Sequence, residues 1–408
     1  MNRRLPDTAL IGIMCSVQLL TMLSISIYAA QLTELRGLWG LNNTEAGWIA
    51  AAYFVGYTIC VPILTSLTDR IDPKRIYIFG SVLLFLGCTL FGLLAHNLAT
   101  ALVFHAIAGA GLAGTYMPGL KGLVDHVDDR YQSRASAFYT ASFGFGAAFS
   151  YPFSEFVGQL YGWPVSFIGA GIAALVSALI VWIILPKADP ESLNVAKTKF
   201  LDFRPVLRNR AALAYSLGYT AHCWELFGLR TWVVAFLAYA ATRHEADVSL
   251  LVPSIVAAIL TILGIPSSII GNEASIILGR LNFISMVLVA SALVCFSIGL
   301  SSQYSYHLVV FFCLLHGITV IMDSGSLTAG AIGNAQPGYR GATMALHSTL
   351  GFSGAILGPL AFGFFLDFGG GETPFGWWLA FAHLGIVQLV GLMILRLMRP
   401  PAVTGDRR

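Results

Sequence analysis

Apolar runs, most of them about 20 residues or longer, alternate with short polar breaks along nearly the whole of this chain. They fall at 8–28, 45–66, 76–95, 100–122, 135–158, 164–185, 211–240, 248–270, 281–301, 307–332, 342–366 and 376–396. Each is long enough to cross a hydrocarbon core of about 30 Å as a helix rising about 1.5 Å per residue. The pattern predicts twelve membrane-spanning helices, numbered here as spans 1 to 12.

Composition agrees. A chain of 408 residues that is 57% hydrophobic, 11% charged and has a mean hydropathy of +0.76 lacks the polar surface a water-soluble globule needs, so its solvent is lipid. The net charge of +3 is then a matter of topology and gives no reason to expect nucleic acid as a partner. Basic residues gather in every second gap: Arg3 and Arg4; Arg70, Lys74 and Arg75; Lys121, Arg130 and Arg134; six between 187 and 210; Arg280; Arg340; and the C-terminal arginines. With a cytoplasmic N-terminus, all Lys and Arg except Arg36, Arg230 and Arg243 lie on the cytoplasmic side, which is the positive-inside bias. The expectation is a multi-pass protein of the cell inner membrane with both termini in the cytoplasm. Arg3 and Arg4 lead into a run already of span length with no small-residue cleavage site, so span 1 is expected to be retained rather than cleaved as a signal. The six cysteines all fall inside spans, at spacings that suit neither a disulfide framework nor a zinc site.

The long basic segment 186–210 divides the chain into an N-terminal six-helix bundle, 1–185, and a C-terminal one, 211–408. The halves repeat one another. Gly144 stands eight residues before Pro152 in span 5, and Gly351 eight before Pro359 in span 11. Each pair is followed by G-W-x-x-x-F-x-x-x-G, at Gly162 to Gly171 and Gly376 to Gly385. Pro62 and Asp69 at the end of span 2 match Pro266 and Glu273 at the end of span 8, again seven apart. Two matches in the same order point to an internal duplication.

Two six-span repeats with a basic central loop resemble the major facilitator superfamily over the whole chain. The loop after span 2 is the most specific local likeness. The family shows G-x-L-A-D-R-x-G-R-R there, and this chain reads Thr65-Ser66-Leu67-Thr68-Asp69-Arg70-Ile71-Asp72-Pro73-Lys74-Arg75, with both glycines replaced and Pro73 apparently inserted. The resemblance implies an all-α polytopic membrane protein with the MFS fold, twelve transmembrane helices in two six-helix pseudo-repeat bundles. It also implies a gating role for Asp69, Arg70, Lys74 and Arg75, the aspartate latching onto the helix N-terminus at Arg340 and Gly341, where unpaired N–H groups and the positive dipole end meet it. By the repeat, Glu273 does the same toward Arg134. Span 11 carries Gly351, Gly354, Gly358-Pro359 and Gly363, a pattern similar to the antiporter Gly-Pro motif that the family places in span 5. Close packing between helices accounts for these glycines equally well.

Ionisable residues at bilayer depth carry the functional expectation, because they are costly there and face a cavity or a partner. Glu225 lies near the middle of span 7, and a carboxyl group so placed is suited to trading a proton as its surroundings change. His222, three residues earlier, shares its helical face and is its expected hydrogen-bond partner. Arg230 lies elsewhere around the helix and is left for Asp323 of span 10 or for an anionic substrate group. His316 and Asp323, seven apart, share a face. His105 precedes Gly109 by four, where the antiporter pattern has arginine. In the family, spans 1, 4, 7 and 10 line the central cavity, so Tyr28, Gln31 and Trp224 join Arg230, His105, His316 and Asp323 as expected substrate-binding residues. Glu155, His347 and His383 are lesser candidates, and Asp367 and Glu372 are expected in a solvated loop.

No Gly-rich phosphate loop of the Walker type is present, so ATP is not the expected energy source. His222-x-x-Glu225 lacks the further ligands of a metalloenzyme, and no metal or cofactor is expected. The sequence predicts a secondary active transporter, not an enzyme, acting as a monomer. It moves a small polar or anionic solute by alternating access with H⁺ as coupling ion, the alternative being proton-driven export of amphipathic, drug-like compounds.

Overall fold

The structure, a computed structural model, describes residues 5–68, 70–187, 204–248, 251–336, 339–398, 400 and 403. Every regular element among them is helical. Two compact units are present, one of Met1–Gln31 with Ala52–Phe200, the other of Leu32–Ala51 with Leu201–Arg408. Segment 32–51 therefore groups with the second unit, although the sequence places it in the first half. Most of the predicted linker lies outside the described residues; its C-terminal end forms the short helix α8 (Arg204–Arg208).

The first unit holds α1 (Asp7–Met22), the start of α2 (Ile27–Trp39), most of α3 (Asn43–Leu67), α4 (Pro73–Leu94), α5 (Leu98–Val124), α6 (Asp129–Tyr161) and α7 (Trp163–Ile184). The second holds α9 (Arg210–Arg243), α10 (Pro253–Leu278), α11 (Arg280–Ser301), α12 (Tyr306–Met322), α13 (Ser324–Gly333), α14 (Arg340–Phe368) and α15 (Pro374–Met398). Among the described residues, ten helical segments are long and apolar enough to cross a membrane, α1 with α2 and α12 with α13 each counting as one. The helices of spans 5 and 7, α6 and α9, are 33 and 34 residues long and fall outside that set. In α9 the charged Glu225 and Arg230 lower the hydropathy of the middle of the helix, whereas in α6 the stretch after Arg134 is free of charge up to Glu155 and is made polar by its serines, glycines and tyrosines.

Two predicted spans are broken rather than continuous. Span 1 unwinds between α1 and α2, and its freed backbone groups find serine side chains. Ser150 Oγ donates to the Leu23 carbonyl at 2.5 Å and accepts from the Ser26 amide at 3.1 Å, while Ser26 Oγ donates to the Ala147 carbonyl at 3.1 Å. Span 10 breaks at Asp323, between α12 and α13.

Local chemistry sets the starts of several helices. Asp72 accepts from the Lys74 amide at 3.0 Å and Pro73 occupies the first turn of α4, so the apparent insertion in the loop motif serves as the helix start. Asn97 and Thr100 form a capping box at α5. The first unit's core includes Met14, Val17, Tyr77, Leu123, Tyr139, Val181 and Leu185, all buried. In the second, Tyr215, Ile284, Leu288, Leu327 and Leu395 do the same.

Candidate functional site

The site is built on α9, and α9 is held by α14. A Cβ at Gly354 would stand 2.2 Å from the Thr220 carbonyl oxygen, and one at Gly358 would stand 2.2 Å from that of Trp224. Only hydrogen fits at either position, so the span-11 glycines are a close helix contact that fixes the turn of α9 carrying Glu225. Trp232 Nε1 donates to the Pro359 carbonyl at 3.0 Å two turns further on, and Gln388 of α15 donates to the Ala221 carbonyl at 2.8 Å.

Glu225 is 1% exposed, and three donors converge on its Oε1. They are Ser291 Oγ at 2.7 Å, Cys295 Sγ at 3.1 Å and His316 Nε2 at 2.8 Å. Ser291 also reaches Thr319 Oγ1 at 3.3 Å. Three bonds on one oxygen is an arrangement that suits the ionised carboxylate. The donors come from α11 and α12, so one oxygen atom ties three helices together.

His222 does not pair with Glu225. Its Nδ1 lies 2.8 Å from Asp323 Oδ1, and both groups are buried. A shared helical face brought the two α9 residues close to one another, but each found a better-placed partner on span 10: Asp323 at the helix break for His222, His316 for Glu225. Asp323 Oδ1 is thus taken up by His222. Arg230 is half-buried, its guanidinium 6.0 Å from the centre of the Phe227 ring.

A second set of aromatic and imidazole rings extends from this pair. Tyr219 stacks on His222 at 5.2 Å between centroids and on His347 at 4.2 Å, and His347 is bonded to Ser216 and Thr328 at 3.2 Å each. Trp224 Nε1 donates to His383 Nε2 at 3.3 Å, beside Phe365. In the first unit His105 is caged by Tyr53, Tyr28 and Phe91, with ring centroids 4.9, 5.3 and 5.5 Å away, and Gly109 lets α5 close on α3 at Tyr53. Gln31 donates to the Ser154 carbonyl at 2.8 Å, a clasp between α2 and α6.

Of the gating residues, Asp69 lies outside the described residues. Arg70 and Arg75 are exposed, and Lys74 Nζ donates to the Leu185 carbonyl at the end of α7 at 2.5 Å. Glu273 and Arg340 are exposed. Asp367, expected in a loop, is instead in the last turn of α14 and accepts from Asn43 and Thr44.

Sequence reasoning passed over Ser291, Cys295 and Thr319. The signal for the first two was available, since a spacing of four puts Ser291 and Cys295 on one face of span 9. Glu225, Cys295 and His316 are also the one group among the described residues whose ligand atoms gather as a metal site would require, within 4.8 Å of one another. Their separations of 2.8 to 3.1 Å are hydrogen-bond lengths. Zinc bonds of about 2.0 Å to nitrogen and about 2.3 Å to sulfur would hold the ligand atoms further apart, at roughly 3.3 to 3.6 Å. The triad reads as a hydrogen-bonded junction.

Comparison with known proteins bears on this geometry. A sequence model described as Major Facilitator Superfamily matches residues 14–359. The chain is 27% identical over 171 residues to the niacin transporter NiaP of Acinetobacter baylyi, covering 42% of this chain and 38% of that one. It is 28% identical over 192 residues to the sialic acid transporter NanX of Escherichia coli, covering 46% of each. It thus spans less than half the length of these two relatives. A longer match, 23% identical over 342 residues, joins it to the quinolone resistance protein NorA of Staphylococcus aureus, covering 80% of this chain and 82% of that one. The solved structure of the nucleoside transporter NupG shares the fold with a TM-score of 0.76 at 14% identity, over 96% of this chain and 100% of that one.

Proposed function

Because this chain belongs to the major facilitator superfamily, and so is a multi-pass membrane transporter of small solutes rather than an enzyme, we propose that it is a twelve-span, H⁺-coupled secondary transporter. In this reading it resides in the inner membrane with both termini cytoplasmic, works as a monomer, and carries a small anionic solute. The observation that supports it most is the convergence of Ser291, Cys295 and His316 on one oxygen of Glu225.

The chemistry follows from the bond count. An ionised Oε1 accepts all three bonds, but a proton arriving there from water takes one of its hydrogen-bonding positions, so the donor that faced that position must let go or turn round to accept. Each donor belongs to a helix other than α9, so loading the proton changes how α9 is tied to α11 or α12. That couples a protonation to a helix rearrangement, as alternating access requires. His316, at 2.8 Å, can relay the proton once it carries one on each ring nitrogen, Nε2 giving its proton to Oε1 and Nδ1 keeping the other, while the His222–Asp323 pair holds the break in span 10 against the same helix. Arg230, one and a half turns from Glu225, supplies the positive charge for an anionic solute. Niacin and sialic acid, the solutes named for two relatives, are both organic acids, which favours this class.

Reconstitution into proteoliposomes with an internal pH probe and a panel of organic anions and cationic dyes tests the proposal. Wild type should take up protons with an organic acid, and Glu225→Gln should abolish that flux. Undiminished flux in Glu225→Gln would remove the carboxylate from the mechanism. The match to NorA favours one other reading, export of amphipathic compounds. Dye-driven flux that survives Arg230→Ala would select it, whereas acid-driven flux lost in Arg230→Ala selects the anion carrier.

A further inference from the structure

Asp367 stands at the C-terminal end of α14, and its two carboxylate oxygens accept four bonds from the first turn of α3. Oδ1 takes the Asn43 amide at 3.1 Å and Asn43 Nδ2 at 2.7 Å; Oδ2 takes the Thr44 amide at 2.7 Å and Thr44 Oγ1 at 2.6 Å. A carboxylate so placed satisfies amides that have no partner within the helix and meets the positive end of its dipole. The neighbouring contacts point the same way. Arg36 in the last turn of α2 forms a salt bridge with Glu372 at 2.7 Å and donates to the Asn43 side chain. Two glycines let the backbones meet: a Cβ at Gly363 would stand 2.2 Å from the Asn43 carbonyl oxygen, and one at Gly47 would stand 2.6 Å from that of Pro359.

This cluster explains why Leu32–Ala51 groups with the second unit although it belongs by sequence to the first half. Unlike the buried polar contacts of Glu225 and His222, this clasp lies partly open to solvent. Its bonds are short, charged and solvent-accessible at the edge, Glu372 and Arg36 being part-exposed, so water can replace them at little cost when they part.

We propose that Asp367 and Glu372 form a gate for transport at the end of α3 opposite the Asp69 loop, closed when Asp367 caps α3 and opened once in each cycle. Span 2 and span 11 would then carry reciprocal devices: the family resemblance implies that Asp69, beyond the C-terminus of span 2, latches the start of span 11, and the structure places Asp367 at the C-terminus of span 11, on the start of span 2. The proposal rests on the alternating-access reading and is independent of proton coupling at Glu225.

Fluorophores introduced by non-natural amino acids at Trp48 on α3 and Phe368 at the end of α14, both exposed, report the separation by single-molecule energy transfer in lipid nanodiscs. Wild type should show a near population and a far one. Asp367→Asn should move the majority to the far state, and so should Gly363→Leu, which disturbs the contact without touching a charge. A Thr44→Cys/Asp367→Cys disulfide should leave only the near state until reductant is added. A single near population in wild type that neither Asp367→Asn nor Gly363→Leu moves would make the cluster a permanent structural cap and overturn the proposal. Neither protons nor solute enter the measurement, so its failure is separate from a failure of the Glu225 assay.

Discussion

At the scale of single residues, each of the two imidazole–carboxylate pairs sets a chargeable pair among apolar helices, which is costly unless both partners are present. Removing one partner leaves the other buried and uncompensated. His222→Ala should therefore destabilise the protein by about 3 kcal/mol or more, read as the midpoint of thermal unfolding in detergent. Removing both in His222→Ala/Asp323→Ala should recover much of that loss. Additive single effects would show that the pair is not energetically coupled. The identity of these residues was legible in the sequence, because an ionisable group at bilayer depth calls attention to itself. Their pairing was not. Helical periodicity puts His222 and Glu225 on one face of α9, yet what each meets depends on where span 10 breaks, and nothing in residues 316–323 announces that Asp323 sits in the break. Gln31 shows the opposite failure: a polar residue in a cavity-lining span is occupied in clasping α6 through Ser154.

At the scale of elements, close contacts between helices decide which turn faces which. Gly354 and Gly358 allow α14 to lie against the backbone of α9 on either side of Glu225. Gly354→Leu must push the two apart, and overpacking of this kind costs roughly 1–3 kcal/mol, so the variant should unfold at lower temperature and lose acid-driven proton flux. Gly12→Ala is the control, because a Cβ there has nothing within 4 Å. If Gly354→Leu behaved like the control, the contact would carry no weight in placing Glu225. Helix limits were legible to within a few residues for most spans, since hydrophobic length and capping residues such as Asn97 and Ser305 act locally. The interruptions of spans 1 and 10 were not: in span 1 the serine that satisfies the unwound backbone, Ser150, comes from α6, more than a hundred residues away in sequence.

At the scale of the whole molecule, the distribution of Lys and Arg makes a prediction that needs no structure. A reporter fused after His126 should lie in the cytoplasm and one fused after His96 on the opposite face, so that green fluorescent protein glows only in the first fusion and alkaline phosphatase is active only in the second. The reverse result would invert the topology and with it the side on which each gate lies. The sequence by itself determined the solvent, the helices and the family, because these depend on the length and order of apolar runs and on motifs carried within one stretch of chain. Tertiary structure alone decided that Glu225 answers to His316, Ser291 and Cys295, that His222 answers to Asp323, and that residues 32–51 join the second unit through Asp367. A helix's own periodicity fixes which face a side chain occupies. It does not say which of several equally apolar helices will lie against that face, and in a lipid-like interior that choice falls to a few glycines, serines and carboxylates spread across the chain.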